Sequence, residues 1–241
     1  MPALTRPTTS VERVPVGLAV AAVLLQVAYP LVHGPARDRL TVATVLVLFA
    51  ASASHALLHR GPAWTARFLL VAVGGSLLVE AVGVATGTPF GDYRYGDALG
   101  PQLLGVPVVV PLAWAMLAYP AHVAGARLGR PVLAGAWALA SWDLFLDPQM
   151  VAEGYWTWAQ PHGVNGIPVS NHLAWLVVAL VLMAALPVRA SSDDRVPLAL
   201  LLWTWGSSVL ANLAFFDRPL VAVVGGVAMA VVTVPLLRAL R

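Results

Sequence analysis

The chain reads as an all-α, polytopic membrane bundle of about eight transmembrane helices, forming a single domain over residues 1–241. Three observations predict it. Hydrophobic residues make up 59% of the sequence and charged residues only 10%, where a soluble domain carries roughly a quarter charged; the mean hydropathy is +0.81. The apolar runs have the length of spanning helices, about 17–25 residues, not the alternating segments of about ten that build a membrane barrel. The polar groups that interrupt those runs are few and recur near span ends.

Taken in order, residues 1–12 are polar and read as a short disordered tail. The first apolar run, 14–32, follows two arginines and could imitate a signal peptide. It lacks a clear small-x-small cleavage site and further spans follow, so a retained helix is expected. Further runs cover 40–58, 68–86, 106–126, a short 131–146, 173–186, 196–216 and 220–237. A loop rich in Gly, Pro, Asp and Tyr separates the third run from the fourth, and a Trp-rich loop separates the fifth from the sixth. Pro148 is expected to stop the fifth helix just after Asp147.

All fourteen basic residues are arginine. With eight spans, Arg6, Arg13, Arg60, Arg67, Arg127, Arg130, Arg189, Arg195, Arg238 and Arg241 fall on one side, and Arg37, Arg39, Arg94 and Arg218 on the other. Positive charge marks the cytoplasmic side, so both termini are expected there. Glu80, Asp92, Asp143, Asp147, Asn171 and Asn212 then gather at the outer half of the membrane. The net charge of +3 reflects loop arginines, not nucleic-acid binding. The absence of cysteine removes disulfides, thiolate catalysis and Cys-type metal sites. The absence of lysine removes Schiff-base chemistry.

The chemistry concentrates in residues 137–175. Asp143 and Asp147 stand at i and i+4 on one helical face. A carboxylate in hydrocarbon costs roughly 2.5–3.5 kcal/mol at a helix centre. Carboxyl groups in apolar settings favour the neutral form, and a neutral acid can donate a proton that its partner accepts. Glu80, inside its span, is a functional candidate by default. Asp92 sits beside Arg94 and serves either as a fourth acid or as a surface ion pair. Tyr93, Tyr95, Trp114, Trp142, Tyr155, Trp156, Trp158 and Trp175 cluster at the same level. Such residues line membrane interfaces generally, but their π faces also stabilise cations. The combination points to an intramembrane acid–base site for a long apolar substrate, with Asp143 the first candidate and Asp147 its partner. His55 and His59, four apart, could ligate a metal, but six scattered histidines do not make a histidine-box site, so a structural role is expected and no metal. The D-x-x-x-D pair could instead chelate Mg²⁺ on a diphosphate, as in membrane prenyltransferases. Those carry two such motifs and basic residues for the diphosphate.

The set GDYRY…LGVPVVVPLAWAMLAY, WDLFLDP…GYWTW and GIPVSNHLAW, spanning roughly 80–175, resembles the membrane carotenoid biosynthesis family, which includes carotenoid hydratases. Ala174 stands where Gly is expected in that pattern. The resemblance implies addition of water to the terminal double bond of an acyclic carotenoid, with no redox cofactor and no metal. Its implied partners are the carotenoid, the bilayer and, as associates, other carotenoid-pathway membrane enzymes. Under that reading Asp143 or Glu80 protonates the alkene and Asp147 or Asp92 takes the proton of the incoming water, which Asn171 holds. Tyr93, Tyr95, Trp114, Trp142, Trp156, Trp158, Trp175 and Asn212 line the substrate. Lycopene-type cyclisation would start from the same protonation and end by proton loss, and a lycopene-elongating prenyltransferase would need the diphosphate. A pigment carrier would bind without turnover.

Overall fold

A computed structural model describes residues 13–160, 163, 165–189, 191 and 193–241; the expected disordered tail, 1–12, lies outside them. The described residues form an α-helical membrane bundle. The helices are α1 (Val14–Ala28), α2 (Pro35–Arg60), α3 (Pro62–Leu69), α4 (Gly75–Thr86), α5 (Val109–Arg127), α6 (Pro131–Ala152), α7 (Val169–Ala185), α8 (Arg195–Ala214) and α9 (Pro219–Ala239). A π turn, Leu70–Gly74, joins α3 to α4 in one rod. Among the described residues, six rods are long and apolar enough to cross a membrane: 14–31, 35–60, 62–86, 109–127, 195–214 and 219–239. α6 and α7, the other two of the eight spans expected, fall outside that set, α7 being a shorter apolar helix of 17 residues.

Proline opens α2, α3, α6 and α9 within their first turn, where its missing N–H costs no helical bond. α5 is the central rod: most of its surface is enclosed, by α6, α2 and α8. α1 is the opposite case, with only Pro15 and Ala22 buried. In lipid, helices associate by close packing and not by water exclusion, so small residues mark the tightest crossings. Gly125 shows this: a Cβ there would lie 2.7 Å from the Gly135 amide nitrogen.

α6 corrects the expected stop at Pro148. The proline sits inside the helix, which runs on to Ala152. Proline removes one backbone donor, but the turn beyond it is held by Glu153 N–H on the Gln149 carbonyl at 3.1 Å and by Gln149 Nε2 on Glu153 Oε1 at 2.9 Å. Glu153 in turn pairs with the buried Arg37 of α2. Asp143 and Asp147 therefore lie more than a turn inside the helix, not at its end.

The loop rich in Gly, Pro, Asp and Tyr and the Trp-rich loop meet in an antiparallel ribbon. β1 (Tyr93–Tyr95) pairs with β4 (Trp156–Trp158), matching Tyr93 with Trp158, Arg94 with Thr157 and Tyr95 with Trp156. Alternation along a strand sends Arg94 and Thr157 outward and the four rings inward. Gly96 N–H on the Tyr155 carbonyl and Ala159 N–H on the Asp92 carbonyl extend the pairing at both ends. β2 (Gln102–Leu103) and β3 (Val106–Pro107) form a second small hairpin. The first ribbon closes the bundle over α4, and Gly83 permits this: a Cβ there would lie 2.9 Å from both Phe90 and the Tyr93 hydroxyl.

Candidate functional site

Beneath the ribbon lies a cavity of about 220 Å³. α4, α5, α6, α7 and α8 all contribute to its wall, together with both strands of the ribbon. Glu80 and Asp147 are the carboxylates that line it.

Glu80 projects from α4, six residues beyond the π turn. A π turn holds one residue more than an α turn, so it resets which side of α4 faces α5 and α7. The Glu80 carboxyl accepts three hydrogen bonds: the Tyr93 hydroxyl at 2.5 Å and the Tyr95 hydroxyl at 2.8 Å on Oε2, and Trp114 Nε1–H at 2.9 Å on Oε1. Burial first, and then the neighbouring Glu80 charge, pushes both phenols above their ordinary range, so Tyr93 and Tyr95 act as neutral donors. Trp114 stacks on Trp175 at 3.6 Å, and Trp142 meets Trp175 edge-on. The arrangement is a carboxyl held only as an acceptor beside a group of packed indole rings.

The second centre is the pair on α6. Asp147 Oδ1 accepts Trp156 Nε1–H at 3.1 Å, and Oδ2 accepts Asn171 Nδ2 at 2.5 Å. The same Asn171 amide reaches Asp143 Oδ2 at 3.3 Å, so one side chain from the first turn of α7 ties both acids together. Asp143 is fully buried and stands one step behind the cavity. Its Oδ2 also meets His172 Nδ1 at 2.9 Å, and among the described residues its Oδ1 has no hydrogen-bond partner.

Asp147, Glu80, Tyr93, Tyr95, Trp114, Trp142, Trp156, Trp158, Asn171, Trp175 and Asn212 all line this one cavity. Asp143 supports it from behind. Asp92 does not join them: its side chain is exposed, and its carbonyl holds the ribbon. Tyr155 turns away to Thr41 and Asp38. His55 and His59 stack on each other, and His55 bonds the Tyr119 hydroxyl.

The sequence reading missed His172. Its signal was adjacency to Asn171 at a helix start, where neighbours can reach one facing helix. It also missed the far end of the cavity, where Gln26, Tyr29, Gln149, Ser207 and Ser208 add polar groups. Scattered over four elements, they form no motif.

One ligand atom each from Asp143, Asp147 and His172 lies within 4.8 Å of the others. As a metal centre this donor set fits poorly. N–H donors from Trp156 and Asn171 each hold one Asp147 oxygen, so a cation would have to share both oxygens with those donors.

The model of the carotenoid biosynthesis protein family matches residues 40–237. The chain belongs to that family. It is also 37% identical over 108 residues to the bisanhydrobacterioruberin hydratase of Haloarcula japonica, a match covering 41% of this chain and 36% of that protein. The matched region thus spans little more than a third of the relative's length. No solved structure matches the chain.

Proposed function

We propose that the chain is a carotenoid hydratase. It adds water across the terminal double bond of an acyclic carotenoid end group and gives a tertiary alcohol. The observation that carries this reading is the pairing of Asp147, backed by Asp143, with Glu80 in one aromatic cavity. The family and the hydratase relative support it.

In the proposed cycle the Asp143–Asp147 pair holds one proton, and Asp147, which faces the cavity, delivers it to the less substituted alkene carbon. The positive charge then rests on the dimethyl-substituted carbon. Trp114, Trp142 and Trp175 line the cavity and are assigned to stabilise that cation through their π systems, and the Glu80 carboxylate balances its charge. Water bonds to the cation, and its proton returns to Asp147. One proton leaves the pair and one comes back, so no external acid, oxidant or cofactor is consumed. Asn171 is assigned here to holding the two carboxyls, not the water.

Expression in a lycopene-accumulating host with mass analysis of the pigments tests the reaction. A gain of one or two waters, with the oxygen drawn from labelled water, supports hydration. Oxygen from O₂ would sink the acid–base mechanism, an unchanged mass would point to cyclisation, and added five-carbon units to prenyl transfer. Exhaustive chelation should leave the rate unchanged. Loss of activity restored by a divalent cation would instead make Asp143, Asp147 and His172 metal ligands.

His172 is assigned as a positioning residue for Asp143. His172→Ala should lower kcat about tenfold with KM unchanged, and His172→Asn, which keeps a donor near the Nδ1 position, should restore much of it. Equal loss in both variants would remove the assignment. The arginine distribution supports an eight-span topology with both termini cytoplasmic and the site toward the outer leaflet.

A further inference from the structure

We infer that the seam between α1 and α8 is the binding site and lateral entry for the polyene tail of the substrate. This rests on the hydratase reading for the identity of the occupant. The cavity is unevenly closed. At the end holding the acids, its lining residues are buried, Glu80, Trp114, Asn171 and Trp175 among them. At the α1–α8 end they are half-buried: Gln26 and Tyr29 on one side, Ser207, Ser208 and Ala211 on the other. α1 leans along α2 and touches α8 lightly, and a bond from Trp203 Nε1 to Gln26 Oε1 at 2.7 Å bridges the two helices.

Size decides what the opening is for. A volume of about 220 Å³ falls below the roughly 300–1,000 Å³ that encloses a drug-sized ligand. It suits a branched end group and a water, not a complete carotenoid. The remaining chain must leave the cavity while the end group stays at Asp147. The small side chains of Ser207, Ser208 and Ala211 leave room for a thin, stiff polyene between the helices, and the outer faces of α1 and α8 are apolar, with Leu24, Val27 and Leu210 exposed. The tail therefore passes from the acid site, between α1 and α8, into surroundings as apolar as itself. An occupant of this kind needs no soluble carrier and no aqueous path.

The chain has no cysteine, so a single introduced thiol is a unique probe. Ala211→Cys is folded, purified in detergent and then labelled with a bulky thiol reagent, with and without lycopene. Val231→Cys, on the exposed outer face of α9, is the control. The expected result is that lycopene slows labelling of Ala211→Cys several-fold and leaves the control unaffected. Labelling Ala211→Cys should also lower lycopene hydration about tenfold relative to the same variant unlabelled, with no change in the control. Undiminished hydration after complete labelling, with no protection by lycopene, overturns the seam and leaves the hydratase reading standing. Protection without hydration in any form of the protein keeps the seam and removes the hydratase reading.

Discussion

Asp147→Asn is expected to lower hydration about 10²–10⁴-fold, the range over which a positioned acid–base group acts, while the protein folds in normal yield. The substitution is nearly isosteric, and the surrounding bonds can adapt. The new amide keeps an oxygen for Trp156 Nε1–H and turns its NH₂ toward Asn171, whose own amide can reverse to accept. Asp143 gives up the long Asn171 bond, holds the proton of the pair toward the reversed Asn171 oxygen, and retains His172. What disappears is the ionisable group that faces the substrate. Asp143→Asn should cost less, because Asp143 reaches the cavity only through its partner, and the double variant should be little worse than Asp147→Asn, since groups acting as a unit are not additive. Rates measured on membranes with matched protein levels decide this. A greater loss in Asp143→Asn than in Asp147→Asn would hand the proton to Asp143, and full activity in Asp147→Asn would end the acid–base assignment.

That ordering reverses the one the sequence suggests, and the reason is geometric. The i, i+4 spacing places Asp143 and Asp147 on one face, but it does not say which end of that face opens on a cavity. Pro148 looked like a stop because proline removes a donor. The side-chain bond of Gln149 to Glu153 and the Arg37 ion pair are long-range or local contacts that no propensity encodes. The helical bundle itself was legible, since lipid demands long apolar segments with internally satisfied backbones. So was the gathering of Glu80, Asn171, Asn212 and the tryptophans, because an up-and-down topology sets their depth. Asp92 shows where depth alone fails: the span count puts it at the level of the others, yet strand alternation about Tyr93 turns it out of the pocket. The ribbon that does this pairs residues some sixty apart in sequence, and neither three-residue strand carries a periodic signal of its own.

Glu80→Gln should lower turnover about 10²–10³-fold with the melting temperature nearly unchanged, and Glu80→Ala should lose both activity and stability. The contrast follows from the three donors on this carboxyl. A glutamine at position 80 can leave its oxygen facing Trp114 Nε1–H, which only donates, and offer its NH₂ to the Tyr93 and Tyr95 hydroxyls, which can accept as well as donate. Each bond survives in reversed or original sense, so the fold keeps its ties while the negative charge is gone. An alanine leaves donors buried without partners, at about 1–3 kcal/mol for such a group. The catalytic effect of the charge is of comparable scale. Two unit charges about 4 Å apart interact by about 4 kcal/mol at an effective dielectric of 20, and each 1.36 kcal/mol of barrier is about a factor of ten. A carboxylate already surrounded by fixed donors does not need to reorganise when the cation forms, which is the condition under which such charge is most effective. Turnover and thermal melting of both variants in one detergent separate the roles. If Glu80→Gln matches the unmodified rate, the charge plays no part and Glu80 serves only to anchor the ribbon to α4.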